Sequence, residues 1–214
     1  MMPRNANGDS LDWDLSRALG NILEVERRWS VGEHAGAARL LGYVNRSHAV
    51  SYHDALESDL EPPVVSLTRR TREKYGFGLS VDQEITSDVG AFGRLGWNDG
   101  HTETWAFTEI DRTVSLGGRL LGSRWGRPND EVGLAGVLNG VSQPHRQYLN
   151  AGGLGFIIGD GRLRYGLEEI LEVYYQAKIK WFRLAADYQL VGNPAYNRDR
   201  GPVSIFALRV HWEY

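Results

Sequence analysis

From Val203 to its last residue the chain alternates between two kinds of position. Ser204, Phe206, Leu208, Val210, Trp212 and Tyr214 fall on one face of an extended strand and are almost wholly apolar, because successive strand side chains point to opposite sides. The other face carries Val203, Ile205, Ala207, Arg209, His211 and Glu213 and turns from apolar to polar along its length. A strand of a soluble sandwich would alternate in a similar way. Closure on an aromatic ring favours a strand that crosses a bilayer, where rings settle at the interface.

The same period recurs upstream. Phe182, Leu184, Ala186, Tyr188 and Leu190 oppose Trp181, Arg183, Ala185, Asp187 and Gln189. Over 162–177, Tyr165, Leu167, Leu171, Val173 and Tyr175 oppose Arg164, Glu168, Glu172, Tyr174 and Gln176, with Glu169 interrupting the apolar side. The cations of 178–180 suit a tight turn at a membrane surface. Further strands are predicted over 75–85, 89–98, 105–121 and 131–141, with another pair over 21–31 and 37–46 joined at 32–36. Longer connections cover 47–74, with a short helix around 52–57, and 142–161.

Outer-membrane barrels place short turns in the periplasm and long loops outside. Walking back from a periplasmic Tyr214 puts 193–201, 142–161, 98–104 and 47–74 outside, and 178–180, 122–130, 86–88 and 32–36 inside. Every connection falls on its expected side. The expectation is an all-β, transmembrane antiparallel barrel of about nine strands over residues 19–214, preceded by a poorly structured segment, 1–18. Single-chain bacterial barrels have an even strand number, and the start, MMPRNANGDS, lacks the basic and apolar regions of a secretion signal. The sequence therefore reads as part of a longer protein.

Composition narrows the function classes. There is no cysteine, which removes disulfides, thiolate metal sites and cysteine nucleophiles and fits an oxidising envelope. No run of about 18 apolar residues exists, so no transmembrane helix is expected. A net charge of −3 gives no electrostatic footprint for nucleic acid. Of the 24 basic residues, 21 are Arg and three are Lys, and a planar guanidinium suits a polar channel that meets carboxylates or sugar hydroxyls; arginine-rich codon usage accounts for the bias equally well. Gly-x-Ser-x-Gly, His-Glu-x-x-His and phosphate-loop patterns are missing. Gly153-Leu-Gly155 with Gly159 misses the dinucleotide spacing by one residue. No catalytic residue, metal site or cofactor is expected.

Several stretches together resemble the OprB family of carbohydrate-selective porins, over about 19–214. The strongest is Asn193-Pro-Ala-Tyr-Asn-Arg-Asp-Arg-Gly-Pro202 with the strand that follows it. Leu171-Glu-Val-Tyr-Tyr175, Asp187-Tyr-Gln189, the glycine-rich 153–161, Gly126-Arg-Pro-Asn-Asp130 and Arg39-Leu-Leu-Gly-Tyr43 support it. The resemblance implies an outer-membrane barrel of roughly sixteen strands that passes mono- or oligosaccharides by diffusion. It implies lipid as surroundings and leaves self-association into a homo-oligomer open.

A sugar-selective path needs donors and acceptors along a narrow wet channel, with binding weak enough for release. By alternation the lumen candidates are Arg94, Glu109, Asp111, Arg119, Glu168, Glu172, Arg183, Asp187 and Arg209, with Tyr174 or Trp181 as rings able to stack on a pyranose. Lumen charges that merely pair with one another to hold a barrel's shape would show the same pattern, and Trp181, next to a turn, suits an interfacial girdle. Two other classes share the alternation: a soluble lipocalin-like binding module, which would fold without detergent, and a barrel enzyme, for which no nucleophile and base are visible.

Overall fold

The computed structural model describes residues 2–3, 10–58, 61–64, 69–104 and 108–212. Strands β1 (Met2–Pro3) and β2 (Leu11–Asp12) pair with each other. The remainder is one nine-stranded antiparallel meander: β3 (Leu19–Val31), β4 (His34–Ala49), β5 (Arg70–Glu84), β6 (Val89–Asn98), β7 (Arg112–Gly122), β8 (Arg127–Gly140), β9 (Glu168–Ile179), β10 (Phe182–Gly192) and β11 (Val203–Trp212). Each strand pairs with its sequence neighbours, and β3 and β11 form the two edges. No helix among the described residues is long and apolar enough to cross a membrane.

The period-two pattern sets the register, because a slip of one residue would carry every apolar side chain to the wrong face. Phe206, Leu208, Val210 and Trp212 of β11 lie opposite Tyr188, Ala186, Leu184 and Phe182 of β10, and the same face continues through Tyr175, Val173 and Leu171 of β9. It is bare: Phe206 is 79% and Leu208 69% exposed. At the far end of the sheet Leu23, Val25, Leu40, Phe77 and Leu79 continue it, also exposed. An apolar face this extensive is disfavoured in water and suits lipid.

Short turns join the strands at one end. Gly32, at φ +63, and Lys180, at φ 54, take the left-handed conformation that two-residue reversals need. A register shift between Leu121 and Gly122 marks the third turn, at Ser123–Trp125. At the other end the connections are long and fold together. Helix α1 (Tyr52–Leu56) starts at Ser51, whose hydroxyl accepts from the Asp54 N–H. Helix α2 (Gln143–Asn150) starts at Ser142, which accepts from the His145 N–H. Val50, Tyr52, Ala55, Val141, Tyr148, Leu149, Ile158 and Tyr196 form the buried apolar core, so the chain packs its core in this loop cap and not between sheet layers.

Several sequence expectations move. The strand expected over 105–121 begins at Arg112, and the one expected over 162–177 runs over Glu168–Ile179. Residues 178–179 belong to β9, so the reversal is at Lys180 and Trp181. The loop expected over 142–161 contains α2. The expected terminal strand is present up to Trp212, while Glu213 and Tyr214 lie outside the described residues.

Candidate functional site

The second face of the sheet is polar. On β3 to β5, Arg39 joins Glu26 (Nε to Oε2, 2.5 Å) to Asp82 (Nη1 to Oδ2, 2.6 Å), and Arg28 approaches the other oxygen of Glu26 at 2.5 Å. Glu26 and Arg39 are register partners, so the strand pairing itself brings these charges together. A second network spans β7 to β11. The Tyr174 hydroxyl donates to Glu131 (2.7 Å), and Arg119 lies 3.7 Å from that carboxylate. Gln189 donates to Glu172 (3.1 Å), while Arg209 donates to Asp187 (2.9 Å) and lies 3.9 Å from Glu172. Gly133 faces Tyr174, where a Cβ would stand 2.1 Å from a ring carbon; only glycine lets that ring lie flat on the wall.

The sheet curls around this face. Arg28 on β3 and Tyr174 on β9 line one cleft of about 580 Å³, together with Asp82, Phe92, Arg119 and Glu172. A neighbouring cleft of about 420 Å³ is walled by Glu131, Gln176, Arg183, Arg209 and His211. Half-exposed ion pairs in such a wall contribute little stability, about 0–1 kcal/mol each, so they mainly fix side-chain positions. Carboxylates accept, guanidiniums and the amide donate, and the Tyr174 ring offers apolar area. The wall can therefore hydrogen-bond a neutral polyhydroxylated solute without a net charge bias. Among the described residues no group of His, Asp and Glu is arranged to hold a metal ion.

Of the nine residues expected on this wall, the structure brings Arg119, Glu172, Arg183, Asp187 and Arg209 together around the clefts. Arg94 lies on the same face with its guanidinium 4.8 Å above the Phe92 ring. Glu168 sits at the cap end of β9, where it accepts from Asn139 and from the Ala195 N–H. Glu109 and Asp111 lie before β7 and not on it, and both are buried in the loop cap. Their carboxylates accept from backbone N–H groups and, for Asp111, from a histidine. Glu26, Arg39, Asp82 and Glu131 complete the polar wall and were not singled out; the alternation of their own strands carried the signal, in Gly76, Gly78, Ser80, Asp82 and Glu84 for example.

The cap is held by a fully buried polar cluster. His145, 0% exposed, stacks on Tyr52 with centroids 4.3 Å apart, and its Nδ1 lies 3.0 Å from Asp111 Oδ2. Asp111 also accepts from the Ser142 N–H (2.8 Å). Burial alone would raise the Asp111 carboxyl, but the hydrogen bond and charge of His145, the Ser142 N–H and the Lys74 ammonium outweigh it and hold the group below its ordinary value of 3.8. Glu109 accepts from the N–H groups of Ile157 and Ile158, and Glu103 from the Val50 N–H and from two nitrogens of Arg69. Burial, then the nearby carboxylates, pushes the Tyr52 phenol well up. Tyr196 donates to the Glu109 carbonyl (2.6 Å), which ties the loop before β11 into the same body.

A polar, curled face, a bare apolar face and long loops gathered at one end fit a run of membrane-spanning barrel strands. The family model for carbohydrate-selective porins of the OprB family matches residues 2–214. The chain belongs to the OprB family. Membership implies an outer-membrane β-barrel protein. The fold is similar to that of Pseudomonas putida OprB in its high-pH structure, with a TM-score of 0.76 at 16% identity over 95% of this chain. That match covers 50% of the P. putida protein, so the chain spans about half the length of the OprB structure it resembles. No curated protein matches the chain.

Proposed function

We propose that this chain forms part of the wall of an outer-membrane pore through which sugars diffuse passively. The observation that carries the reading is the two-sidedness of the sheet: Glu26, Arg39, Asp82, Arg119, Glu131, Glu172, Asp187 and Arg209 converge on one face while the other is apolar from β3 to β11. Strands whose alternate residues meet lipid and water behave in this way.

Along this wall a pyranose would exchange its water hydrogen bonds for bonds to carboxylates, guanidiniums and Gln189, while Tyr174 offers stacking area. The charges are already paired with one another, so each hydroxyl competes with an existing contact. Binding is then shallow, which a channel needs if solute is to leave as readily as it enters. The cap at the long-loop end, built on Asp111 and His145, keeps the connections folded and sets the width of the entrance on that side.

The test is swelling of liposomes that contain the protein, with mono- and disaccharides as osmolytes. Swelling that falls with sugar size supports a pore of this kind. Vesicles that stay as tight to sugars as protein-free controls, with the protein inserted, would falsify it.

A further inference from the structure

We infer a second binding site on the outer, apolar face: a groove at the long-loop end that takes a phosphate-bearing lipid, its acyl chain along the sheet and its headgroup on Arg112 and Arg146. The groove has a volume of about 530 Å³ and is walled by Phe77, Leu95, Trp97, Val114, Leu138 and Leu167. Arg112 and Arg146 also line it.

Each guanidinium reaches the groove for a structural reason. Arg112 is the register partner of Trp97 on one side and Gly140 on the other, so it belongs to the apolar face, and it is exposed. Gly140 leaves room for Tyr165 and Leu167 to fold over the strand; a Cβ there would stand 3.0 Å from each. Arg146 extends from α2 over the Tyr165 ring, 4.4 Å from its centre, and its Nε donates to the Ser142 carbonyl.

What sets these two apart is that both cations line one apolar groove and neither is paired with a carboxylate among the described residues. Arg46, at the same rim, is paired with Glu73 at 2.5 Å, and Arg39, Arg119 and Arg209 on the polar wall all have carboxylate partners. Among the described residues Arg112 and Arg146 have none. A second apolar groove, along Leu23, Val25 and Leu40, has no cation in its walls, and a third, along Leu116, Leu171 and Leu190, contains a carboxylate, Glu169. Guanidiniums at the interface over an apolar groove fit a phosphate and an acyl chain at once, since the fork of donors matches phosphate oxygens.

The inference rests on reading this face as lipid-exposed and the long-loop end as external, where the outer leaflet carries phosphorylated lipid A. The experiment is native mass spectrometry of the full chain refolded in detergent, offered lipid A and its dephosphorylated form at equal concentration. Wild type is expected to retain the phosphorylated form roughly ten-fold more. R112Q/R146Q should bring the ratio close to one, and R27Q, which removes a cation from the same face near the short turns, should leave it unchanged. Equal retention of the two lipids by wild type, which needs no variant, overturns the proposal; so does a preference that survives in R112Q/R146Q. Liposome swelling is read separately: lipid preference without sugar-dependent swelling sinks the pore reading alone, and swelling without lipid preference sinks this site alone.

Discussion

Asp111 is buried among α1, α2 and the start of β7, where one carboxylate answers a histidine, a backbone N–H and a lysine. Removing its charge weakens the acceptor that holds the His145 ring and the Ser142 N–H and takes one buried carboxylate from beside Lys74, so Asp111→Asn should cost the cap roughly 3 kcal/mol. The near-ultraviolet circular dichroism of the buried tyrosines measures this. The sign of the pH dependence follows from the depressed carboxyl: its contribution is complete above about pH 4 and is lost as the pH falls through the lower native value. Wild type should lose tyrosine signal in acid below that point, and Asp111→Asn should start lower and change less. Gly133 makes a second residue-scale case. A methyl group there meets the Tyr174 ring, so Gly133→Ala should displace Tyr174 from Glu131 and destabilise the sheet by about 1–3 kcal/mol in urea titrations.

The strands were legible because lipid on one side and water on the other impose a strict period of two, and no other constraint competes along their length. The segment 89–98 coincides with β6, and the turn expected over 32–36 is confined to Gly32 and Glu33, with β4 starting at His34. The misses gather at the long-loop end. Glu109 and Asp111 alternate as if on a strand, yet the cap draws them in, because His145 and the N–H groups of Ile157 and Ile158 lie more than thirty residues away in sequence and meet them only after folding. Helix α2 did leave a local sign, Ser142 followed by Gln-Pro, a cap residue with proline in the first turn. The strand reading itself is testable at the element scale. Leu208→Arg on the apolar face of β11 should cost about 2–4 kcal/mol for folding into vesicles if the residue lies near the midplane. Ala207→Ser, one position along on the other face, should change little. Equal costs for the two would contradict the assignment of faces.

Over the whole molecule, the polar wall is balanced by pairing, so the selectivity of the proposed pore should respond to unpairing. Replacing Glu172 and Asp187 together by Gln and Asn leaves Arg209 without a counterion. In planar bilayers the reversal potential under a salt gradient should then shift toward anion preference, as a single-sign field would produce; an unchanged potential would mean that this cluster does not face the conducting path. The loop cap has a different consequence, for how the molecule is seen from the solvent at that end. Tyr52, Tyr148, Ile158 and Tyr196 come from three separate connections and share one core, so the surface above them is a mosaic that no single stretch can reproduce. Antibodies raised against the folded protein and directed to that end should bind discontinuous epitopes, and neither synthetic loop peptides nor the heat-denatured chain should compete for them.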